Sequence, residues 1–367
     1  MGENRFRGRS LAVINDFSLE ERLYLFEKTK ELKGLFKTGK RDEFDKFRID
    51  DSDFGVYEVF LESSTRTKES FKNAAEFHRI KISNLDVGAS SINKKESYAD
   101  TFNTLAGYNN SIFIVRSKLE GVCRWLEING RAFAKRNNLA VPPSFINAGD
   151  GKHEHPTQEL LDEYTFLEKN NWKRDSIHIA LIGDLFHGRT VHSKVQGLKI
   201  FNNVQVDLIA PRELALPSHY IDEMKANGYR VRSFDSIETY VHEKQIADKW
   251  YFTRPQLERM GDEILKIADS LREKISFRQE FMQYLPKDTV FYHPLPRHKE
   301  HPTIPTFLDS TSLNGWEEQS INGKLIRIVL LGLTAGKLGD GFRGELQRGG
   351  HSDEPFIEEV AIDNNRP

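Results

Sequence analysis

From residue 55 to residue 292, short apolar, β-prone runs alternate with helix-like segments almost without a break. No other feature of the sequence limits the fold so strongly. Strands joined by helices rather than by tight turns must run parallel, and parallel sheets need helices over both faces. The pattern predicts strands at 55–61, 80–85, 112–115 and 144–147, and a second series at 177–182, 204–209, 229–233, 249–252 and 289–292. Two series imply two doubly wound α/β domains with parallel sheets and a cleft between them. Ligands of such sheets sit beyond the carboxyl ends of the strands. Before the first series, Ser18 and Glu21 form a capping box for a helix reaching about residue 36. The highly charged stretch 39–53 reads as an exposed loop, and 321–338 as one apolar helix. The remainder, 339–367, is rich in glycine and charge and reads as a flexible tail or linker. Its Gly339, Gly341 and Gly344 follow a helix rather than a strand, the wrong setting for a dinucleotide fingerprint.

Composition bounds the function. A chain of 367 residues has room for two domains. Its net charge of −2 leaves no global basic footprint for nucleic acid. The single cysteine, Cys123, excludes an internal disulfide framework and a four-cysteine zinc site. No apolar run reaches membrane-spanning length and MGENRFRGRS lacks a hydrophobic signal core, so a cytoplasmic location is expected.

The run from Phe60 to Phe71 carries the chemistry. An apolar strand breaks into Ser63, Ser64, Thr65, Arg66 and Thr67, and a helix-like segment follows at once. Free N–H groups at a helix start, with hydroxyl donors and one planar guanidinium, make a phosphate site. The plainer alternative is an N-cap cluster beside a solvated arginine.

Ser64-Thr65-Arg66-Thr67 with Ser70-Phe71 resembles the carbamoyl-phosphate loop of the transcarbamylase family. Three further segments extend the match: His155-Pro156-Thr157-Gln158 with Leu160-Leu161-Asp162, Gly188-Arg189-Thr190 behind Gly183-Asp184-Leu185, and His293-Pro294-Leu295-Pro296-Arg297. In this order they are similar to the aspartate-specific catalytic chains of the family, over about residues 8–338. The resemblance implies transfer of a carbamoyl group from carbamoyl phosphate to L-aspartate, a step of de novo pyrimidine synthesis. It implies a first domain at 1–155, completed by a returning helix at 314–338, and an aspartate-binding domain at 156–313.

It also implies roles. Ser64, Thr65, Arg66 and Thr67 would hold the phosphate. Arg116, at the end of a strand, would reach phosphate and carbonyl oxygen. His155 would donate to the carbonyl oxygen, and Gln158 with the carbonyls around Leu295 and Pro296 would hold the carbamoyl NH2. Arg189, Arg254 and Gln256, with Leu295, would hold aspartate, since planar guanidinium forks match carboxylates. Ser90 and Lys94 would belong to a loop that reaches a neighbouring subunit's site in a homotrimer. Lys95 stands where the family has glycine, so either lysine is open as the acting one; the bland alternative is a solvated basic loop.

Carbamoyl transfer passes through a tetrahedral intermediate with a phosphate leaving group, which calls for placed donors rather than a cofactor or metal. His153, His155 and Glu159 resemble a metal trio but lack a further histidine or cysteine, so no metal is expected. An ornithine-type transcarbamylase and a non-catalytic relative kept for assembly are the competing readings. A regulatory chain remains a possible partner.

Overall fold

The computed structural model describes residues 6–85, 98–108, 110–256 and 266–345. Two all-parallel sheets form its frame. The first contains β1 (Gly55–Phe60), β2 (Lys81–Asn84), β3 (Asn110–Ser117) and β4 (Ser144–Asp150), in the order β2-β1-β3-β4. The second contains β5 (Ser176–Ile182), β6 (Asn203–Ile209), β7 (Arg230–Phe234), β8 (Lys249–Phe252) and β9 (Val290–Tyr292), in the order β7-β6-β5-β8-β9. Strands β1, β3, β5 and β8 are largely buried on both faces, as coverage by helices on both sides demands.

The strand orders position the site. In the first sheet the order reverses between β1 and β3, and in the second between β5 and β8. A crevice opens at each reversal, beyond the strand ends. The loop at 64–67 follows β1, and Arg116 lies at the end of β3. Arg189 follows β5, and Arg254 follows β8. Each sheet thus delivers two arginines to its own switch point.

Helix α1 (Leu19–Thr38) starts with the expected capping box: Glu21 N–H donates to Ser18 Oγ at 3.2 Å, and Ser18 N–H donates to Glu21 Oε2 at 2.6 Å. It ends at Gly39, in the left-handed region. The next helices of the first half are α2 (Thr65–His78), α3 (Tyr98–Gly107), α4 (Val122–Arg136) and α5 (Pro156–Lys169). The last helix, Trp316–Thr334, is almost entirely buried and packs on α1, α2 and α5, which ties the end of the chain to the first sheet. Its start lies five residues before the apolar run, because Glu317 and Glu318 suit a helix N-terminus although neither is apolar. At its junction with α1 and α5, Lys33 Nζ donates to Glu168, Glu318 and Asn322.

The stretch 39–53 is not simply an exposed loop. Residues Arg41–Lys46 form a short 3-10 helix, and Phe44 and Phe47 are buried. Phe44 meets Phe36 and Phe77 at centroid distances of 4.6 and 5.3 Å. Charged neighbours mask these two aromatics in the sequence, yet their apolar area is large enough to draw the segment onto the core. Of the expected tail, residues up to 345 are described. Phe342 is buried there against Phe6 and Tyr24 at 5.2 and 5.4 Å. Among the described residues no helix is long and apolar enough to cross a membrane.

His78 links α2 to the last helix. Its Nδ1 accepts from Ile49 N–H at 3.3 Å, and its Nε2–H donates to Ile328 O at 2.7 Å, which uses both ring nitrogens in the neutral form. Burial pushes its pKa down from 6.5 to about 4. A depressed folded pKa contributes stability above the unfolded value that is lost as pH falls through the folded one. Stability should therefore decline from pH 6.5 toward pH 4, with about 3 kcal/mol attached to this group. Urea midpoints across that range test it. In His78→Gln, which has no proton to gain, the acid limb should be shallower; an identical limb would show that His78 does not drive the loss.

Candidate active site

One cavity of about 550 Å³ lies where the two switch points face each other. Its lining brings together Ser64, Thr65, Arg66, Thr67, Arg116, His155, Gln158, Arg189, Arg254, Gln256, Leu295 and Pro296. These residues are contributed by four strand ends, the starts of α2 and α5, and the turn after β9. Ser90 and Lys94, with Lys95, lie outside the described residues.

At the start of α2, Ser64 is the N-cap, yet its side chain makes no capping bond to the backbone. Its Oγ donates instead to Thr67 Oγ1 at 3.1 Å. The orphan N–H groups of the first turn and the positive helix end face the cavity mouth. Burial lowers the Arg66 pKa, but a guanidinium remains a cation.

Arg116 and Arg189 come from different sheets and converge on one carboxylate. Arg116 Nη2 and Arg189 Nη2 each lie 3.1 Å from Glu62 Oε2. Arg116 Nη1 also donates to Ala148 O at 2.9 Å, and Arg189 Nη1 to Gly151 O at 3.1 Å. Gly149 lies between them at φ 109°; a Cβ there would come within 2.9 Å of Arg116 Nη1 and 3.0 Å of Arg189 Cζ. Only glycine admits this approach.

The turn bearing Arg254 is held by Thr253 and Asp184. Thr253 N–H donates to Ile182 O at 2.8 Å, Gln256 N–H to Asp184 Oδ2 at 2.9 Å, and His187 N–H to Asp184 Oδ1 at 2.9 Å. Asp184 thus joins the loops after β5 and β8.

His155 is the N-cap residue of α5, ahead of Pro156. Burial first, then Arg116, Arg189 and Arg327, hold its pKa well below the usual value, so the ring is neutral. Thr157 Oγ1 lies 3.4 Å from Nδ1. With that hydroxyl donating, Nε2 keeps the proton and the ring is a neutral donor. His293 is also neutral: burial, then Arg297, Arg66 and Arg254, push its pKa to about 3.

Several lining residues had been given no role: Glu62, Arg327, Gln319 and His293, the last named only as the start of a matched segment. Arg327 Nη1 donates to Ser70 Oγ at 2.9 Å, and burial pushes its pKa to about 10. A cation inside the otherwise apolar run 325–334 was its only signal. Glu159 and His153 have partners of their own. Glu159 Oε2 accepts from Lys194 Nζ at 2.8 Å, and His153 Nδ1 lies 3.1 Å from Asp150 Oδ2. No set of three or more potential metal ligands occurs among the described residues.

Two family descriptions match this chain: "Aspartate/ornithine carbamoyltransferase, carbamoyl-P binding domain" over residues 9–168, and "Aspartate/ornithine carbamoyltransferase, Asp/Orn binding domain" over 175–331. The chain belongs to the aspartate/ornithine carbamoyltransferase family. Within this family it is 63% identical to the protein PyrBI of Treponema denticola over 366 residues, covering 99% of this chain and 68% of that protein. It is 58% identical to PyrBI of Thermotoga maritima, covering 91% of this chain and 63% of the relative. The chain therefore spans about two thirds of the length of these two relatives. The aspartate carbamoyltransferase catalytic subunit of Methanobrevibacter smithii is 33% identical, with 89% of this chain and 94% of that one covered. Among solved structures, aspartate transcarbamoylase from Trypanosoma cruzi in complex with carbamoyl phosphate and aspartate superimposes with a TM-score of 0.74 at 27% identity, covering 90% and 97% of the two chains.

Proposed function

We propose that the chain transfers the carbamoyl group of carbamoyl phosphate to the amino group of L-aspartate, giving N-carbamoyl-L-aspartate and phosphate for pyrimidine synthesis. The observation that carries this reading is the charge of the cavity. Its lining holds Arg66, Arg116, Arg189, Arg254 and Arg327 and, among the described residues, a single carboxylate, Glu62. A phosphate and a dicarboxylic amino acid need that excess of cations. Ornithine, with its second amine, does not.

In this reading the phosphate lies on the start of α2, among Ser64, Thr65, Arg66 and Thr67, with Arg116 beside it. Arg116, Thr67 and the neutral His155 ring donate to the carbonyl oxygen as it gains charge. Donors placed in advance where charge develops lower the barrier without reorganising. Gln158, with the carbonyls of the Leu295–Pro296 turn, accepts from the carbamoyl NH2. Arg189 and Arg254, aided by Gln256, hold the aspartate carboxylates so that its amine faces the carbonyl carbon. The neutral amine adds to that carbon, its extra proton passes to the departing phosphate, and the tetrahedral oxyanion collapses as the C–O bond to phosphate breaks.

The first domain, 1–155 with 314–338, supplies the carbamoyl-phosphate half, and 156–313 the aspartate half. The protein acts in the cytoplasm without cofactor or metal, with a regulatory chain as a possible further partner. Acceptor selectivity tests the substrate: with carbamoyl phosphate fixed, aspartate should be consumed and ornithine should not. Equal use of both, or of ornithine alone, would overturn it.

The reading extends to a homotrimer in which Ser90 and Lys94 of one chain complete a neighbour's site. Lys94→Ala and Arg116→Ala chains should each be nearly inactive alone. Co-refolded in equal amounts, about one site in four should combine an intact loop with an intact body, by random assembly of a closed ring. No recovery, with refolded wild type active, would rule out sharing. The same mixing with Lys95→Ala identifies the acting lysine.

A further inference from the structure

A buried polar chain runs behind the cavity wall, and its central member is Asp162. This carboxylate is fully buried on α5, one turn beyond Gln158. Its Oδ1 accepts from Gln158 Nε2 at 2.9 Å and from Gln319 Nε2 at 2.6 Å. Its Oδ2 accepts from Lys194 Nζ at 2.7 Å. Lys194 is itself fully buried, bonded also to Glu159 and 4.0 Å from the Tyr251 ring centroid. Burial disfavours the ammonium, but Asp162 and Glu159 outweigh it and keep Lys194 charged.

A carboxylate has lone pairs only, so each amide must turn its NH2 toward it. For Gln158, which lines the cavity, the group left to face a ligand is then Oε1, an acceptor. For Gln319 the freed group is also Oε1, and it accepts from His293 N–H at 2.9 Å. His293 Nδ1 in turn accepts from Leu295 N–H at 2.7 Å. That last bond anchors the Leu295 turn, which lines the cavity with Leu295 at φ 54°. One carboxylate thereby orients both acceptors assigned to the carbamoyl NH2, on elements far apart in sequence.

We propose that Asp162, acting on Gln158 directly and on the Leu295 turn through Gln319 and His293, is the positioning residue that makes the cavity select an NH2-bearing acyl phosphate over its methyl analogue. The proposal rests on the carbamoyl-transfer reading above. Carbamoyl phosphate offers two N–H donors where acetyl phosphate offers a methyl group of similar size. Against fixed acceptors the methyl leaves them desolvated and unpaired, the situation in which a polar site discriminates most strongly. If an amide were free to turn, its NH2 would face the ligand instead and the preference would fade.

The test uses the full chain and calorimetric titration, without aspartate, of carbamoyl phosphate, acetyl phosphate and inorganic phosphate. Asp162→Asn presents an amide in place of the carboxylate and lets Gln158 turn. Carbamoyl phosphate binding should weaken about tenfold to a hundredfold, while acetyl phosphate and inorganic phosphate stay within about twofold. In a Gln158→Ala background, Asp162→Asn should lower the carbamoyl-to-acetyl ratio by a smaller factor than in wild type, because the two changes then share one target. Equal weakening of all three ligands would mean a merely structural role. An undiminished effect in the Gln158→Ala background would mean another route. Either result overturns the proposal.

Gln319→Met leaves the Asp162–Lys194 pair intact and should lower the same ratio through the Leu295 turn. An unchanged ratio in that variant also overturns the proposal, which keeps it decidable if Asp162→Asn does not fold. A wild type without preference for carbamoyl over acetyl phosphate would sink the carbamoyl-transfer reading itself. A preference that survives Asp162→Asn sinks only the positioning role.

Discussion

Arg116→Ala should lower kcat by about 10²–10³, the usual cost of removing one donor from a developing oxyanion, and leave the KM for aspartate within a few-fold of wild type. The guanidinium ends β3, is largely buried in the cavity wall, and is held in place by Ala148 O and Glu62. Its orientation is therefore set before any ligand arrives, which favours the transition state over the ground state. Steady-state kinetics on the purified variant decides the matter. A kcat within a few-fold of wild type would remove Arg116 from the reacting centre.

Arg254→Ala should instead raise the KM for aspartate by about a hundredfold, because charge-assisted bonds worth ~1.5–3 kcal/mol each are lost. Carbamoyl phosphate affinity should stay nearly intact. The contrast follows from position: Arg254 follows β8 in the second sheet, whereas the loop at 64–67 follows β1 in the first. Titration of carbamoyl phosphate alone, beside aspartate saturation kinetics, separates the two halves. An equal loss of both affinities would put Arg254 in the carbamoyl-phosphate half.

The two expected outcomes differ because the fold brings two independent crevices face to face. This much was legible in the sequence, since strand and helix periods differ and each arginine stands just past an apolar run. The expected strand at 249–252 coincides with β8, and that at 177–182 lies within β5. Local patterns also carry caps, and the box at Ser18 and Glu21 formed as expected. The polar chain behind the wall was not legible. Gln319 and Asp162 stand 157 residues apart, and although Asp162 belongs to a segment of the family match, nothing local ties it to Gln319 or to the turn after β9. The same holds for Lys194, a lysine that sequence alone would place at the surface. Phe44 and Phe47 were hidden by the opposite bias, since their charged neighbours outweighed two aromatics in a local reading. Glu62 stood in plain view beside the phosphate loop, but its role depends on two arginines brought from separate sheets.

The most direct measurement follows the carbamoyl carbon. Carbamoyl phosphate labelled at that carbon is incubated with aspartate and the purified protein, and the label and free phosphate are assayed together. Carbamoyl transfer predicts labelled N-carbamoyl-aspartate and phosphate appearing in equal amounts, with wild type far faster than Arg116→Ala. Phosphate release without labelled carbamoyl-aspartate, or a label that passes to another acceptor in preference to aspartate, would contradict it.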